Sequence, residues 1–538
     1  MKRFVSLLLA VLMVLSLVAC GDKGQSSTNT GTGTSTGTPT GNIDEKTEQN
    51  VTEVKANVSY KDEVVLAGNT KINSLDVQES TLIANCYIYN MTHEQLVRYD
   101  SSTQSLIPLL AESYDVSADS KTFTFHLRKG VKFHDGGDFT ADDVVFTIQR
   151  ALDSATTASG VREVYGAFES FTAEDPYTVK VVLKAADSDM LIKLSAGSFG
   201  MLSRKAMDAS EDGYKIGTGP WKNKDFALGD YVLLERNDSY WDEKPVTKTV
   251  RYRYIPEDSA RLMALENHEI DVCIYPATAE YDLITSNPEL DMVTYEGSLN
   301  YLYFNNNVAP FDDVNFRLAL AYATDVDSII QAVLSGYGIK ANTFNSRYSL
   351  GSFDDWESVG LVGYHRDIEL AESYLAKSKY ANGGGDFTIS VNNDLRVLIS
   401  QVLQDQYKDL GIKIDVEKFD SAGFSKIQKE RDFQALIAAY TFNASGDKFT
   451  GTFRSDGGNN LGDYYNAEFD DLVARARAET DPAVRIELYK QAQIILHKEC
   501  PHLPLYYGIQ GVAYTKKLSG VAWDQGGAHR FAYVKVEL

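Results

Sequence analysis

Little in this sequence carries reactive chemistry. Its 538 residues include four cysteines and eight histidines. No Cys-x-x-Cys, no His-Glu-x-x-His and no Gly-x-Ser-x-Gly elbow set between a strand and a helix occurs, which removes the thiol-redox, zinc-hydrolase and serine-nucleophile plans. Gly217-Thr218-Gly219 lacks the third glycine and following helix of a dinucleotide loop, and no Lys-Ser/Thr follows at Walker spacing. His497, Cys500 and His502 form the one close group of metal-type side chains, but Pro501 interrupts it and no metal site is expected. Paired acids such as Asp142-Asp143, Asp312-Asp313 and Asp470-Asp471 fall at helix starts, where the macrodipole accounts for them. Positive charge is short as well. With 52 Lys+Arg against 75 Asp+Glu, the net −23 has the wrong sign for a nucleic-acid surface. Cys86, Cys273 and Cys500 share no short spacing, so one pair could bridge but no disulfide framework is indicated. Beyond the first twenty residues no apolar run reaches the roughly 18 residues of a membrane helix. An enzyme is not expected, and no cofactor is implied.

What the sequence does have begins at its N-terminus. Lys2 and Arg3 precede an almost wholly apolar run, Phe4 to Ala19, which reads as a secretory signal. It ends Leu17-Val18-Ala19-Cys20-Gly21, which resembles a lipobox, so residues 1–19 are expected to be removed and Cys20 to be lipidated. Two acyl chains suffice for stable anchoring, each buried methylene adding roughly 0.8 kcal/mol. The Gly/Ser/Thr tract from Gly24 to Gly41 and the polar run to Asn57 cannot bury enough surface to fold, and predict a flexible tether over residues 20–57.

Folded patterns start at Val58. Thr122 to Leu127 alternates polar and apolar residues, glycines at 130, 136 and 137 mark a turn, and Thr140 with Asp143 caps a helix bearing Val144, Val145, Ile148 and Leu152. Glu174 to Tyr177 marks a hairpin turn ahead of an alternating strand to Leu183. Helices are predicted over Leu82–Arg98, Glu257–Glu269, Asp313–Leu334, Arg366–Lys377, Leu395–Leu410 and from Asp481 to Cys500, with strands at Val250–Ile255, Phe387–Val391, Ile412–Val416 and Leu503–Tyr507. This strand–helix–strand order predicts a mixed α/β protein, long enough for two or three domains.

Particular strings go further. FHLRKGVKFHDG with FTADDVVF, then GTGPW, LLERNDSYW, YIPEDSARLMALENHEIDV and YLYFNNNVAPFDDVNFRLALAYATDVDSIIQAVLSGYG resemble, in order and near spacing, the family 5 extracytoplasmic solute-binding proteins of ABC importers, the oligopeptide/dipeptide/nickel group. The resemblance spans roughly Leu66 to Gly520. It implies a two-lobed periplasmic-binding-protein-like α/β fold of the cluster C type, with mixed sheets, a hinge, an interlobe cleft and an extra subdomain in lobe I. In the implied layout lobe I opens with residues 58–97, carries the extra subdomain over 98–211 and resumes over 212–300. Lobe II follows over 301–505, and residues 506–538 return to lobe I as its C-terminal segment.

The resemblance also implies the role: a monomeric, lipid-anchored receptor on the outer face of the bacterial cytoplasmic membrane. It would capture an oligopeptide or peptide-like solute and deliver it to an ABC permease and its ATPase. A non-peptide solute, such as an oligosaccharide or metal chelate, and peptide sensing are the alternatives. In the family's peptide binders a Trp and then an Asp, which pairs with the ligand's α-amino group, stand near Ala435 to Phe453. Here the Trp position falls on Ala439 or Tyr440 and the Asp position on Phe442 or Asn443, so neither candidate carries a carboxylate. Tyr440, Phe442 and Asn443 are the expected ligand contacts there, with Asp447 as a displaced acid. Lys429 and Arg431 are weaker candidates for a ligand carboxylate, and Asn69 and Tyr87 are the expected contacts from lobe I.

Overall fold

The structure, a computed structural model, describes residues 58–100, 103, 105–441, 445–524 and 527–538. The expected signal, tether, lipidated Cys20, Phe442 and Asn443 lie outside the described residues. Strands and helices follow in chain order: β1 (Glu63–Gly68), α1 (Ile83–Thr92), β2 (Ala111–Val116), β3 (Thr122–Leu127), α2 (Ala141–Asp153), β4 (Phe168–Asp175), β5 (Thr178–Leu183), α3 (Met190–Leu194), β6 (Trp221–Ala227), β7 (Tyr231–Arg236), β8 (Thr249–Tyr254) and β9 (Val272–Ile274). The longest described strand, β10 (Leu290–Phe304), precedes α4 (Val314–Ala323), α5 (Val326–Leu334), β11 (Gly338–Lys340), β12 (Phe387–Val391), α6 (Asp394–Tyr407), β13 (Ile414–Lys418), β14 (Ala435–Tyr440), α7 (Ala467–Ala478), α8 (Pro482–Glu499) and β15 (His502–Thr515).

Two sheets organise these elements. The larger runs β13-β12-β14-β10-β15-β9-β1-β8-β7-β6, with β11 on β15, and is mixed: β1 pairs in parallel with β8 and β9, whereas β10 pairs antiparallel with β14 and β15. The smaller is antiparallel, β2-β3-β5-β4. In β3 the sequence alternation is the burial pattern. Phe123, Phe125 and Leu127 are buried and join Val144 and Ile148 of α2 in a core of their own. Each such buried side chain contributes roughly 1.5–3 kcal/mol. The expected cap of α2 is present, with the Thr140 N–H donating to Asp143 Oδ2 at 2.9 Å.

Strand β10 works in two cores at once. Leu302 and Phe304 face Phe311, Phe316, Ile389 and Tyr407; Tyr301 and Tyr303 face Phe453, Phe469 and Tyr489 on the other side. A period of two delivers successive side chains to opposite faces, so a strand covered on both is apolar throughout. At its other end Leu290 packs with Ala67, Leu262 and Leu265, while Tyr295 packs with Leu66 and Tyr87. Strand β15 accompanies β10 from Leu290↔Thr515 to Tyr303↔His502, with register shifts between Glu296 and Leu299 and between Asn300 and Tyr301. Strand β10 thereby contributes to four separate cores.

Three predicted elements differ. The single helix expected over Asp313–Leu334 is two, because Thr324 turns to an extended conformation and Asp325 caps a new start, accepting from Ser328 N at 3.1 Å. The helix expected to run to Arg98 stops at Thr92, whose hydroxyl back-bonds to Ile88 O, and the chain is already in a strand by Val97. The strand expected at Leu503–Tyr507 runs on to Thr515 because β10 supplies a partner along its length.

Candidate ligand-binding site

Tyr440 is the last residue of β14 and lies opposite Leu299 of β10. Its half-buried ring carries the Lys448 ammonium 5.6 Å from its centroid, and its hydroxyl accepts from Asn459 Nδ2 at 2.7 Å. Burial pushes the phenol up to about 12, so it stays protonated. It therefore offers an aromatic face edged by an amide and an ammonium.

Asp447 sits beside two cationic side chains. Its carboxylate lies 3.2 Å from Lys193 Nζ and 3.3 Å from Arg477 Nε, and accepts from Thr450 Oγ1 at 2.7 Å. Burial works to raise this carboxyl, but the two cations outweigh burial and hold it below the usual carboxylate range. The displaced acid is thus an internal ion-pair partner, with its charge already matched by protein groups. The preceding Gly446 approaches α8 closely: a Cβ there would stand 2.6 Å from the Tyr489 ring and 2.9 Å from Leu350 O.

The lobe I residues divide. Asn69 is exposed, one residue past β1, and its Oδ1 accepts from Thr70 Oγ1 at 3.2 Å. Tyr87 is fully buried on α1. Its hydroxyl donates to Gly527 O at 3.1 Å and lies 3.3 Å from Tyr275 Oη, so it holds the C-terminal segment. Arg431 pairs with Asp463 at 2.5 Å and donates to Asn460 O, a structural engagement, while Lys429 is exposed.

Two groups went unnoticed in the sequence. His529 stands edge-on to Tyr295, with centroids 4.7 Å apart, and to Trp523 at 5.2 Å, while Tyr514 stacks on Trp523. Only an aromatic-rich C-terminus hinted at this, since Tyr295 comes from a strand over two hundred residues earlier. The second is Arg347, whose Nε donates to the buried Glu296 at 2.8 Å beside the register shift of β10. The three described cysteines are buried and unpaired, and burial raises Cys273 to about 11 and Cys500 to about 12, so neither is nucleophilic at neutral pH. His497 is sandwiched between Trp356 and Tyr364 at 4.1 and 4.2 Å, and His502 accepts from Phe304 N at 3.3 Å, which makes both core residues. Aromatic faces, amides and charges already paired suit recognition of a ligand more than a reaction on one.

Comparison with known proteins agrees with this architecture. Residues 105–461 match the family model described as bacterial extracellular solute-binding proteins, family 5 middle. The chain is 29% identical over 486 residues to the dipeptide-binding protein of Escherichia coli K12, covering 83% of this chain and 89% of that protein. It is 28% identical over 549 residues to the oligopeptide-binding protein AppA of Bacillus subtilis 168, covering 96% of both. The ABC transporter-associated periplasmic binding protein DppA of Helicobacter pylori, solved with the peptide STSA, superposes with a TM-score of 0.73 at 26% identity, covering 89% of this chain and 99% of that one. HbpA2 of Haemophilus parasuis shares the fold with a TM-score of 0.80 at 24% identity, covering 88% of this chain and all of that one. The Escherichia coli, Bacillus subtilis and Helicobacter pylori relatives are named as binding proteins, and among the described residues no helix is long and apolar enough to cross a membrane. The chain belongs to the family 5 bacterial extracellular solute-binding proteins of ABC transporters.

Proposed function

We propose that this protein is the lipid-anchored receptor of an ABC importer. It captures an oligopeptide or peptide-like solute between its two lobes and hands it to a membrane permease. The observation that carries the reading is the β10–β15 pair, two long strands that serve cores in both lobes and change register at Glu296/Leu299, the place for a hinge. The ligand class comes from relatives named for dipeptides and oligopeptides. Lobe I comprises residues 58–97, 212–300 and 506–538 with the 98–211 subdomain inserted, lobe II comprises 301–505, and Cys20 holds the chain at the outer face of the membrane.

The ligand-stripped protein should respond to a mixed di- and tripeptide pool, with changed tryptophan fluorescence and a raised Tm. At a hundredfold excess over Kd the stabilisation is about 2.7 kcal/mol. A response to oligosaccharides or metal chelates with none to peptides overturns the peptide assignment and keeps the receptor role. One observation favours that second reading: Asp447 is held by Lys193 and Arg477, so the carboxylate closest in sequence to the expected amine anchor is engaged by the protein. Mass spectrometry of whatever co-purifies separates the two readings directly.

A further inference from the structure

Apart from the β10–β15 pair, a second connection joins remote parts of the chain. The segment around α3 carries Asp187, Asp189 and Lys193; the segment from the end of β14 into α8 carries Asp447, Arg477 and Arg485. The first group has net charge −1 and the second +1, so the two faces are complementary as units. Asp189 is the centre. Its Oδ2 accepts from Ser445 Oγ at 2.6 Å and from the Asp447 N–H at 3.0 Å, and its Oδ1 lies 3.3 Å from Arg485 Nη1. Lys193 bridges Asp187 at 2.7 Å and Asp447 at 3.2 Å. The backbone joins in, with the Ser188 N–H donating to Arg477 O at 2.9 Å.

We propose that this cluster is a closure latch, in which Asp189 is a positioning residue that holds Ser445 and Asp447 against the segment around α3. The proposal rests on the two-lobe capture reading above and adds what sets the closed state. The contacts made by Asp189 land on Ser445 and Asp447, within seven residues of the aromatic face at Tyr440, so the latch and the ligand surface share one piece of chain. The buried setting strengthens the attraction, since the side chains of Asp189, Asp187 and Asp447 are 1%, 8% and 8% exposed. Yet Asp189 Oδ1, Arg477 Nε and Arg485 Nε make no hydrogen bond within the protein. A charge cluster with unmet hydrogen-bonding groups does not recover its full desolvation cost. That balance suits a contact that must release as well as hold. Opening about the β10–β15 link would part the −1 face from the +1 face and return both to water.

The test needs no ligand. Spin labels at two exposed sites, Glu169→Cys on β4 and Tyr465→Cys between β14 and α7, go into the whole chain in a Cys20→Ser background, the other cysteines being buried. Double electron–electron resonance then reads the distance across the latch. The parent should show one short distance, and Asp189→Asn and Asp447→Asn a second, longer one. Lys193→Arg should match the parent while Lys193→Met follows the Asp variants, a charge dependence that general destabilisation would not produce. If the Asp variants fail to fold, Lys193→Met and Arg485→Gln carry the test. Distributions that superimpose on the parent in folded variants overturn the latch. That result leaves the capture reading standing, because ligand binding is measured separately, and an unresponsive peptide pool leaves the distances interpretable.

Discussion

His134 shows how much one side chain can settle. Its Nδ1 accepts from Gly217 N at 3.2 Å, so the ring proton sits on Nε2, which donates to Gly219 O at 3.0 Å. The residue ties the FHDG string to GTGPW, two motifs over eighty residues apart in sequence. Burial pushes it down to about 3, which keeps it neutral in the fold. Glu94 is the opposite case: burial pushes its carboxyl up to about 7 although Trp241 Nε1 and Tyr240 Oη donate to it at 2.8 and 2.7 Å. A folded pKa above the unfolded one gives stability that is complete below about pH 4.5 and lost as pH rises through 7, here about 3 kcal/mol. Glu94→Gln should flatten that decline, as read from Tm at pH 5 and pH 8. For the ligand, Asp447 is already matched by Lys193 and Arg477, so N-acetylation of a bound peptide should weaken binding less than tenfold in calorimetric titration. A loss of a hundredfold or more would mean that an acid does meet the amine.

At the scale of elements, close approach and capping decide what residue pattern leaves open. GTGPW is glycine-bearing because a Cβ at Gly219 would stand 2.4 Å from Met91 O at the end of α1. Gly219→Ala should therefore cost roughly 2–4 kcal/mol in urea unfolding. Arg317 of α4 works similarly on α8. Its buried guanidinium donates to Glu499 O at 2.8 Å, Cys500 O at 3.1 Å and Phe311 O at 2.7 Å, satisfying carbonyls at a helix C-terminus. Arg317→Met strands those acceptors, and a loss of about 3 kcal/mol is expected. The break between α4 and α5 belongs here too. A continuous apolar stripe from Phe316 to Val333 reads as one helix, yet the cap at Asp325 and the bond from Thr324 Oγ1 to Leu320 O let the chain turn.

For the whole molecule, five histidines, four of them buried and His134 half-buried, set the acid limit. Burial lowers His93, His497 and His529 to about 4 and His134 and His502 to about 3. Each is neutral in the fold and protonates in the unfolded chain below about pH 6.5, so its contribution is complete above that pH and lost as pH falls towards 3 to 4, at up to about 1.4 kcal/mol per unit. Together they outweigh the opposing trend of Glu94. Calorimetry from pH 7 to pH 4.5 should show Tm falling steeply with net proton uptake on unfolding; a flat profile would mean that these rings are hydrated. The alternation of β3, the Thr140/Asp143 cap, the turn glycines and the motif strings were determined by sequence alone, because alternation, capping and backbone sterics act over a few residues. The partners of Asp447, the burial of Tyr87 and the gathering of Tyr295, Trp523 and His529 were decided only by tertiary structure. Pairing β10 with β15 brings residues some two hundred positions apart into contact, and the charges that settle there depend on the whole surround.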